Sequence, residues 1–386
     1  MKFNFTIAFS ELVSKGFNFL TILILIKIVS AENYGVYSYA ISIASVAIIF
    51  SDLGFSWYAF NDSLNTKSNI VLNKIISFKA IFSSVVVFLA PLIFVRTYEL
   101  FILFFLVLAS LSITSFNRNI LMIHRAKMNI FEDNILILFE PTLRLALMVV
   151  LWSFFNDVSI SIICMGFLGI GVLSLSINYL ISSKLLLKFQ TLNRREIIEL
   201  LKKTSPFFFY YLFHVSIVRI DIIFLEKFAN YQSVAQYSAS FTILLTIVMV
   251  FNATISSNFL KSIKLTFFKV GQFILLASIP TIICTRLFSA DIFNLLFPEA
   301  YSSSSQIINN LILSIPFTTA TFWLTIRNNF LKRQNINVVV YFISVVLKLA
   351  FLLYYKPNDP LIFSKLYIGF EVITLILMLV IVKFKK

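Results

Sequence analysis

Two charged residues stand inside an apolar run that is long enough to cross a membrane. The segment HVSIVRIDIIFLEKF, residues 214–228, carries Arg219 and Asp221 near the middle of that run. A charge at the centre of a membrane helix costs about 2.5–3.5 kcal/mol on insertion scales, so such residues usually face a bundle interior or a water-filled path. The arginine fork can bind phosphate oxygens through two parallel hydrogen bonds. Arg219 is therefore a candidate for contact with an anionic substrate.

Similar residues recur in the other apolar runs. The candidate cations for contact with an anionic substrate are Lys15, Arg118, Arg144, Arg219 and Lys348. The candidate carboxylates for ion pairs or ion coupling are Glu11, Asp52, Glu140, Asp221 and Glu371. A further group of long cationic side chains could reach a membrane interface instead, namely Lys27, Lys79, Arg327 and Lys365.

Spacing pairs some of these residues within single helices. Glu11 and Lys15 are four positions apart, as are Glu140 and Arg144. Residues at i and i+4 share one face of a helix, so each carboxylate can neutralise its cation.

Arg219 and Asp221 are only two positions apart, so their side chains point in different directions along a helix. Two interpretations of Arg219 remain. It neutralises a carboxylate on another helix, such as Asp52, or it donates hydrogen bonds to a phosphate or a sugar hydroxyl of a substrate.

The elements that must position these side chains are transmembrane helices. The chain is 59% hydrophobic and 13% charged, whereas soluble domains are about 25% charged. Apolar runs of about 20 residues recur along its whole length, which predicts an all-α polytopic membrane protein. The predicted spans are 5–29, 37–58, 75–95, 100–123, 135–155, 160–182, 206–228, 237–260, 266–288, 306–330, 337–355 and 361–382.

The positive charges sort by side of the membrane. If the segments between spans alternate sides, one side holds 19 Lys and Arg residues and the other at most six. By the positive-inside rule, both termini are cytoplasmic. The net charge of +15 then reflects topology, and no nucleic acid partner is expected.

An internal repeat divides the chain. GVYSYAISI at 35–43 and AQYSASFTI at 235–243 align at an offset of 200 residues. Because six spans separate the copies, both halves share one orientation, as in transporters built from parallel repeats. We predict an N-terminal six-helix bundle with a cytoplasmic linker, 1–190, and a C-terminal six-helix bundle, 191–386.

The linker between the halves contains a cap signal, Asn193 followed by Glu196. It predicts either a short amphipathic helix on the cytoplasmic leaflet or a solvated segment. Pro280 and Pro316 interrupt two later spans and are candidates for bends or kinks.

Catalytic signatures are missing from the sequence. There is no phosphate-binding GxxxxGK[ST] motif, no metal-ligand spacing and no nucleophile triad. The predicted outer loops are too short to hold a catalytic domain. We therefore expect a transporter that is not an enzyme and that uses no cofactor and no metal.

Several segments resemble the Wzx-type polysaccharide flippases. These are SAENYGVYSYAISIASVAIIFSDLGFSWYAF, VRIDIIFLEKFANYQSVAQYSASFTI, DIFNLLFPEAYSSSSQIINNLILSIPF and LLYYKPNDP, at 30–60, 218–243, 291–317 and 352–360. They resemble that family's first turn with its "DLG" span end, its "RID" span, its loop before the tenth span and its last outer turn. Ser30 and Ala31 replace the glycine and proline of the first turn.

The resemblance implies the multidrug/oligosaccharidyl-lipid/polysaccharide exporter fold. The implied activity is alternating-access transfer of undecaprenyl-diphosphate-linked oligosaccharide, an O-antigen or capsule repeat unit, across a bacterial inner membrane. The implied partners are this lipid-linked glycan, membrane lipid, the glycan polymerase and the chain-length regulator. Two alternatives stay open, an ion-coupled multidrug-type exporter of the same fold and a membrane glycan polymerase.

Overall fold

The computed structural model describes residues 5–55, 58, 70–94, 97–126, 130–155, 158–181, 193–257, 267–331 and 333–384. Within these ranges all regular structure is helical. The α-helices are α1 Phe5–Ile28, α2 Ala31–Asp52, α3 Ile70–Phe94, α4 Tyr98–Ala126, α5 Ile130–Phe154, α6 Ile160–Ile181, α7 Arg194–Phe228, α8 Tyr231–Ser257, α9 Phe267–Leu296, α10 Ser304–Leu311, α11 Ile315–Phe330, α12 Gln334–Tyr355 and α13 Pro360–Phe384.

Twelve segments of the described chain are long and apolar enough to cross a membrane, with α10 and α11 together forming one of them, Ser304–Phe330. The predicted fold class, an all-α membrane protein of about twelve spans, is confirmed.

The helices form two compact units. The first contains Met1–Tyr39 and Ser216–Lys386, and the second contains Ala40–Val215. The boundaries between units fall inside α2 and α7, because these helices contribute residues to both. The division predicted at residue 190 rests on the sequence repeat, which is a different criterion, and it stays a prediction.

The turns at 29–30 and 229–230, which are 200 residues apart, are followed by helices that are capped in the same way. Ser30 Oγ accepts a hydrogen bond from the Asn33 amide (3.2 Å), and Asn230 Oδ1 accepts one from the Ser233 amide (2.8 Å). Each side chain thereby caps the first turn of the helix that follows, α2 or α8. The second and eighth spans were expected to start at residues 37 and 237, which was wrong. Because of these caps, the helices begin six residues earlier, at Ala31 and Tyr231.

The two turns lie against each other within the first unit. A Cβ atom on Gly35 would overlap the backbone carbonyl oxygen of Tyr231, so the close approach of α2 to α8 requires glycine there. The Tyr39 and Tyr231 rings pack edge to face, with centroids 6.1 Å apart. The sequence repeat therefore marks two equivalent turns in direct contact.

A third turn, which joins α9 to α10, packs beside them. The ring of Tyr301 lies 6.3 Å from that of Tyr34, and the Gln236 side chain donates a hydrogen bond to the Ala300 carbonyl (3.1 Å). Burial raises the pKa of the Tyr301 hydroxyl, so this residue stays neutral.

Helix α7 is longer than the predicted span 206–228. The Asn193 side chain accepts a hydrogen bond from the Glu196 amide (2.9 Å), and the Glu196 carboxylate accepts one from the Asn193 amide (3.0 Å). This reciprocal capping box fixes the helix start at Arg194. The linker was expected to be a separate surface helix or a solvated segment. In the described part it is the first turns of α7, which continue through Pro206 into the span.

The N-terminal turns of α7 pack in the second unit. Leu200 is buried with Phe55 and Ile75. Gly54 ends α2 in a left-handed conformation, with φ +77°, and a Cβ there would lie 2.8 Å from the Thr204 carbonyl oxygen. Both reasons favour glycine at this position.

Pro316 marks an interruption of the tenth span. The α-helix stops at Leu311, residues Ile312–Ser314 form a 3₁₀ turn, and α11 starts at Ile315. A proline ring clashes with the carbonyl four residues earlier, so regular α-helix cannot run through this point without distortion. Pro280, the other predicted bend, lies inside the continuous helix α9.

Candidate functional site

The first unit contains a buried ion pair between α12 and α7. The Lys348 ammonium lies 2.7 Å from Asp221 Oδ2, and both side chains are fully buried. Lys348 also donates a hydrogen bond to the Ile217 carbonyl (2.9 Å), and the Tyr237 hydroxyl of α8 donates one to Asp221 (3.1 Å). One carboxylate oxygen thus receives two donors from two different helices.

Aromatic rings and a second carboxylate surround this pair. The Lys348 ammonium lies 5.4 Å from the centroid of the Tyr367 ring and 5.9 Å from that of Phe370, both on α13. Such distances allow favourable contact between a cation and a ring face. Glu371, one position beyond Phe370, is buried and accepts a hydrogen bond from Tyr367. We call Asp221, Glu371, Lys348, Tyr237 and Tyr367 the Lys348 cluster.

The second unit holds another fully buried lysine. Lys79 of α3 forms an ion pair with Asp52 at the end of α2 and donates a hydrogen bond to the Ser115 hydroxyl of α4 (2.8 Å). The sequence allowed Lys79 to reach a membrane interface, but the structure buries its ammonium. Its ammonium points inward because Asp52 and Ser115 supply the acceptors that a buried cation requires.

Arg144 and Glu140 form the ion pair that their spacing predicts. Their nearest atoms lie 2.5 Å apart on α5. The guanidinium also donates to the Thr114 hydroxyl of α4 (3.2 Å), and the Thr114 hydroxyl donates to the Glu140 carboxylate (2.9 Å). The Arg144 guanidinium lies 5.2 Å from the centroid of the Phe167 ring of α6.

A chain of amides extends this network to α6. The Asn117 side chain donates hydrogen bonds to Glu140 (3.3 Å) and to Ser174 (3.3 Å). The Asn178 side chain donates one to the side-chain oxygen Oδ1 of Asn117 (2.8 Å). The polar groups therefore tie α4, α5 and α6 together inside the second unit, where lipid offers no hydrogen-bond partners.

The remaining candidates differ in exposure. Lys15, Glu11 and Arg219 are partly exposed residues of the first unit. Arg219 lies close enough to the Tyr34 hydroxyl to act on it electrostatically. Arg118 lies on α4, but its side chain is outside the part of the chain that the structure describes.

The geometry separates the predicted cations into two kinds. Lys348 and Arg144 form ion pairs with carboxylates of their own unit. Lys15 and Arg219 retain exposed surface, which suits contact with a polar ligand. The roles of all five cations in substrate binding, and of the carboxylates in ion coupling, stay predictions.

Sequence reasoning missed several partners. Lys79 was set aside as a residue that could reach an interface, and Tyr237 and Asn117 were not considered as hydrogen-bond donors to buried carboxylates. A signal for Tyr237 was present, because this residue is one of the identities of the repeat. Lys79 carried no such signal, because a lysine near a span end can extend its ammonium to the membrane interface as readily as it can pair with a buried carboxylate.

Residues 4–259 match the model of a family described as polysaccharide biosynthesis proteins. This match covers well over half of the chain, so the protein belongs to that family. No curated protein matches the sequence.

Solved structures define the class of fold. The lipid II flippase MurJ, in an inward closed conformation, has a TM-score of 0.73 at 16% identity, covering 98% of this chain and 87% of its own. A mutant of the Vibrio cholerae MATE transporter VcmN has a TM-score of 0.61 at 15% identity, covering 98% and 93%. A MOP superfamily transporter from Pyrococcus furiosus has a TM-score of 0.63 at 10% identity, covering 97% and 92%.

These likenesses establish the fold of MurJ and the MATE transporters. The resemblance to polysaccharide exporters that the sequence motifs indicated is confirmed at the level of family and fold. The protein is a multi-pass membrane protein of the polysaccharide biosynthesis family with a transporter fold.

Proposed function

We propose that this protein is a flippase for undecaprenyl-diphosphate-linked oligosaccharide, such as an O-antigen or capsule repeat unit. The observation that carries the proposal is the combination of a polysaccharide biosynthesis family match with a fold shared along 98% of the chain with a lipid II flippase. A family that serves polysaccharide synthesis and has a transporter fold fits a protein that moves a glycan precursor. The glycan is transferred from the inner to the outer leaflet by alternating access.

The charges within the spans support an anionic cargo. Lys15 and Arg219 are partly exposed cations on α1 and α7 of the first unit. A diphosphate needs fixed cations at membrane depth, and an arginine fork matches phosphate oxygens. We assign Arg219 as the principal phosphate contact and Lys15 as the second.

The location follows from the same proposal. The protein resides in a bacterial inner membrane with both termini in the cytoplasm, because the side with most positive charge faces the cytoplasm. A reporter enzyme fused after Lys386 tests this, since activity on the periplasmic side would invert the whole topology. Partners in this setting are membrane lipid, the glycan polymerase and the chain-length regulator.

Deletion of the gene tests the function. Surface glycan should disappear, and the lipid-linked repeat unit should accumulate in the inner leaflet. Plasmid-borne wild type should reverse both effects. Loss of surface glycan without accumulation of a lipid-linked precursor would instead favour a role in synthesis of the glycan.

A second candidate, an ion-coupled multidrug-type exporter, is favoured by the likeness to MATE transporters. An exporter of cationic drugs needs unneutralised carboxylates in its cavity. In the described chain Asp52 and Glu140 are each paired with a cation, whereas Asp221 and Glu371 share the single ammonium of Lys348, so the carboxylates alone do not decide between the two proposals. The match to a family of polysaccharide biosynthesis proteins makes the flippase the better proposal.

A further inference from the structure

The charges of the Lys348 cluster do not balance. Two buried carboxylates, Asp221 and Glu371, face one buried ammonium, that of Lys348. Glu371 interacts electrostatically with both Lys348 and Asp221. If all three groups were ionised, the cluster would hold one net negative charge away from water. A buried charge without compensation is strongly unfavourable, so the group takes up a proton or a counter-ion instead.

An independent observation indicates where the missing positive charge is needed. Asp221 Oδ2 accepts hydrogen bonds from Lys348 and Tyr237. The other oxygen, Oδ1, is buried and has no hydrogen-bond partner within the described chain. Buried carboxylate oxygens are normally hydrogen-bonded. An orphan acceptor of this kind indicates a ligand with positive charge or a donatable hydrogen.

The neighbouring groups leave the proton as the favoured ligand. The titratable groups that act on the two carboxylates are Lys348 and Tyr341 from α12, Tyr237 from α8 and Tyr367 from α13. Helix α10, which also packs on α13, carries no titratable side chain. The phenols are neutral donors, so none of them supplies the missing charge. The ammonium of Lys348 already occupies the position beside the Ile217 carbonyl and Asp221 where a metal ion would find its ligands.

We propose that the Lys348 cluster is a proton-binding site in which Asp221 and Glu371 together hold one exchangeable proton. With the proton bound, the cluster is neutral, because one carboxylate balances Lys348 and the other is a carboxylic acid. Loss of the proton leaves one net negative charge among α7, α8, α12 and α13. The site stands without the flippase proposal. If that proposal also holds, protonation supplies a charge change inside the unit that carries Arg219.

The proposal predicts how each substitution changes the number of bound protons. Replacing either carboxylate, in Asp221→Asn or Glu371→Gln, leaves one carboxylate for one ammonium and should remove the proton. Replacing the ammonium, in Lys348→Met, leaves two carboxylates without a cation and should increase the bound protons from one to two. A matched control is Glu199→Gln, because Glu199 is an exposed glutamate on α7 that pairs with Lys203.

The experiment is infrared spectroscopy of the purified full-length protein in lipid nanodiscs, without substrate. The wild type should show the carbonyl stretch of one buried carboxylic acid at neutral pH. This band should shift in D₂O and disappear on alkaline titration. It should be absent in Asp221→Asn and Glu371→Gln, about twice as strong in Lys348→Met, and unchanged in Glu199→Gln.

Three results would overturn the proposal. One is the absence of the band from the wild type at every pH at which the protein stays folded, a measurement that needs no variant. A second is a band that survives in both carboxylate variants. The third is a band that disappears when Na⁺ replaces a large organic cation, which would make the site a metal-ion site. Because no substrate is present, none of these results depends on whether the protein is a flippase.

Discussion

The Gly35 backbone lies directly against the carbonyl oxygen of Tyr231, which brings the first turns of α2 and α8 together. These turns are the two copies of the repeat, capped by Ser30 and by Asn230. The short motif that first indicated an internal repeat thus corresponds to a contact between its own copies within one compact unit.

Replacing this glycine should destabilise the protein. In Gly35→Ala the new methyl group would overlap the Tyr231 carbonyl, and overpacking of this kind costs roughly 1–3 kcal/mol. Thermal unfolding in detergent should show a lower midpoint than the wild type. The matched control is Gly16→Ala on α1, where the new Cβ would meet no atom within 4 Å apart from its chain neighbours and the backbone of the same helix turns. An unchanged midpoint for Gly35→Ala would show that the two helices separate without cost.

The buried pair of Lys348 and Asp221 should show strong coupling in a double-mutant cycle. We expect Lys348→Met to cost roughly 3 kcal/mol, the low end for a broken buried ion pair, because the carboxylates left behind can be protonated. Adding Asp221→Asn should recover much of that loss, since it removes one of the carboxylates left without a cation.

The control for this cycle is the exposed pair of Lys203 and Glu199 on α7. Its removal should change the free energy of unfolding by about 0–1 kcal/mol. Chemical denaturation in mixed micelles measures all variants. Additive losses for Lys348→Met and Asp221→Asn would mean that the two side chains do not depend on each other.

Arg219 should be required for export. Arg219→Ala should abolish surface glycan, whereas Arg219→Lys should retain part of it, because a point charge remains without the planar fork. Arg286→Ala is the control, since Arg286 is an exposed arginine of the same unit. The measurement is surface glycan in cells that produce equal amounts of each variant.

The alternative interpretation of Arg219, as a partner for a carboxylate, makes a different forecast. Neutralising that carboxylate should then restore export to Arg219→Ala. Asp52 was the partner considered from the sequence, but in the structure it pairs with Lys79. Rescue by neutralisation of any carboxylate would remove Arg219 from the substrate site.

The helices were predictable because bilayer thickness and hydropathy set their number and approximate length. Their ends were less predictable, since a single cap such as Ser30 moves the start of α2 by six residues. The pair of Glu140 and Arg144 was predictable because it depends only on spacing within one helix.

Pairs between helices were not predictable. Lys348 and Asp221 are separated by 127 positions in the sequence, and the residues around each of them do not indicate that the two side chains pair. Lys79 and Asp52 are 27 positions apart on consecutive described helices, and the sequence allowed this lysine to reach an interface equally well. In both cases tertiary packing decides which carboxylate meets which ammonium.

Reconstitution in liposomes tests the flippase proposal most directly. A polyprenyl-diphosphate-linked oligosaccharide with a labelled glycan is incorporated into both leaflets, and a membrane-impermeant glycosidase cleaves the glycan exposed outside. Wild type should make nearly all of the labelled lipid cleavable, whereas Arg219→Ala and protein-free liposomes should leave about half protected. If the inner half stays protected with folded wild type, while a cationic dye is moved along a proton or sodium gradient, the protein is a drug exporter and the flippase proposal is wrong.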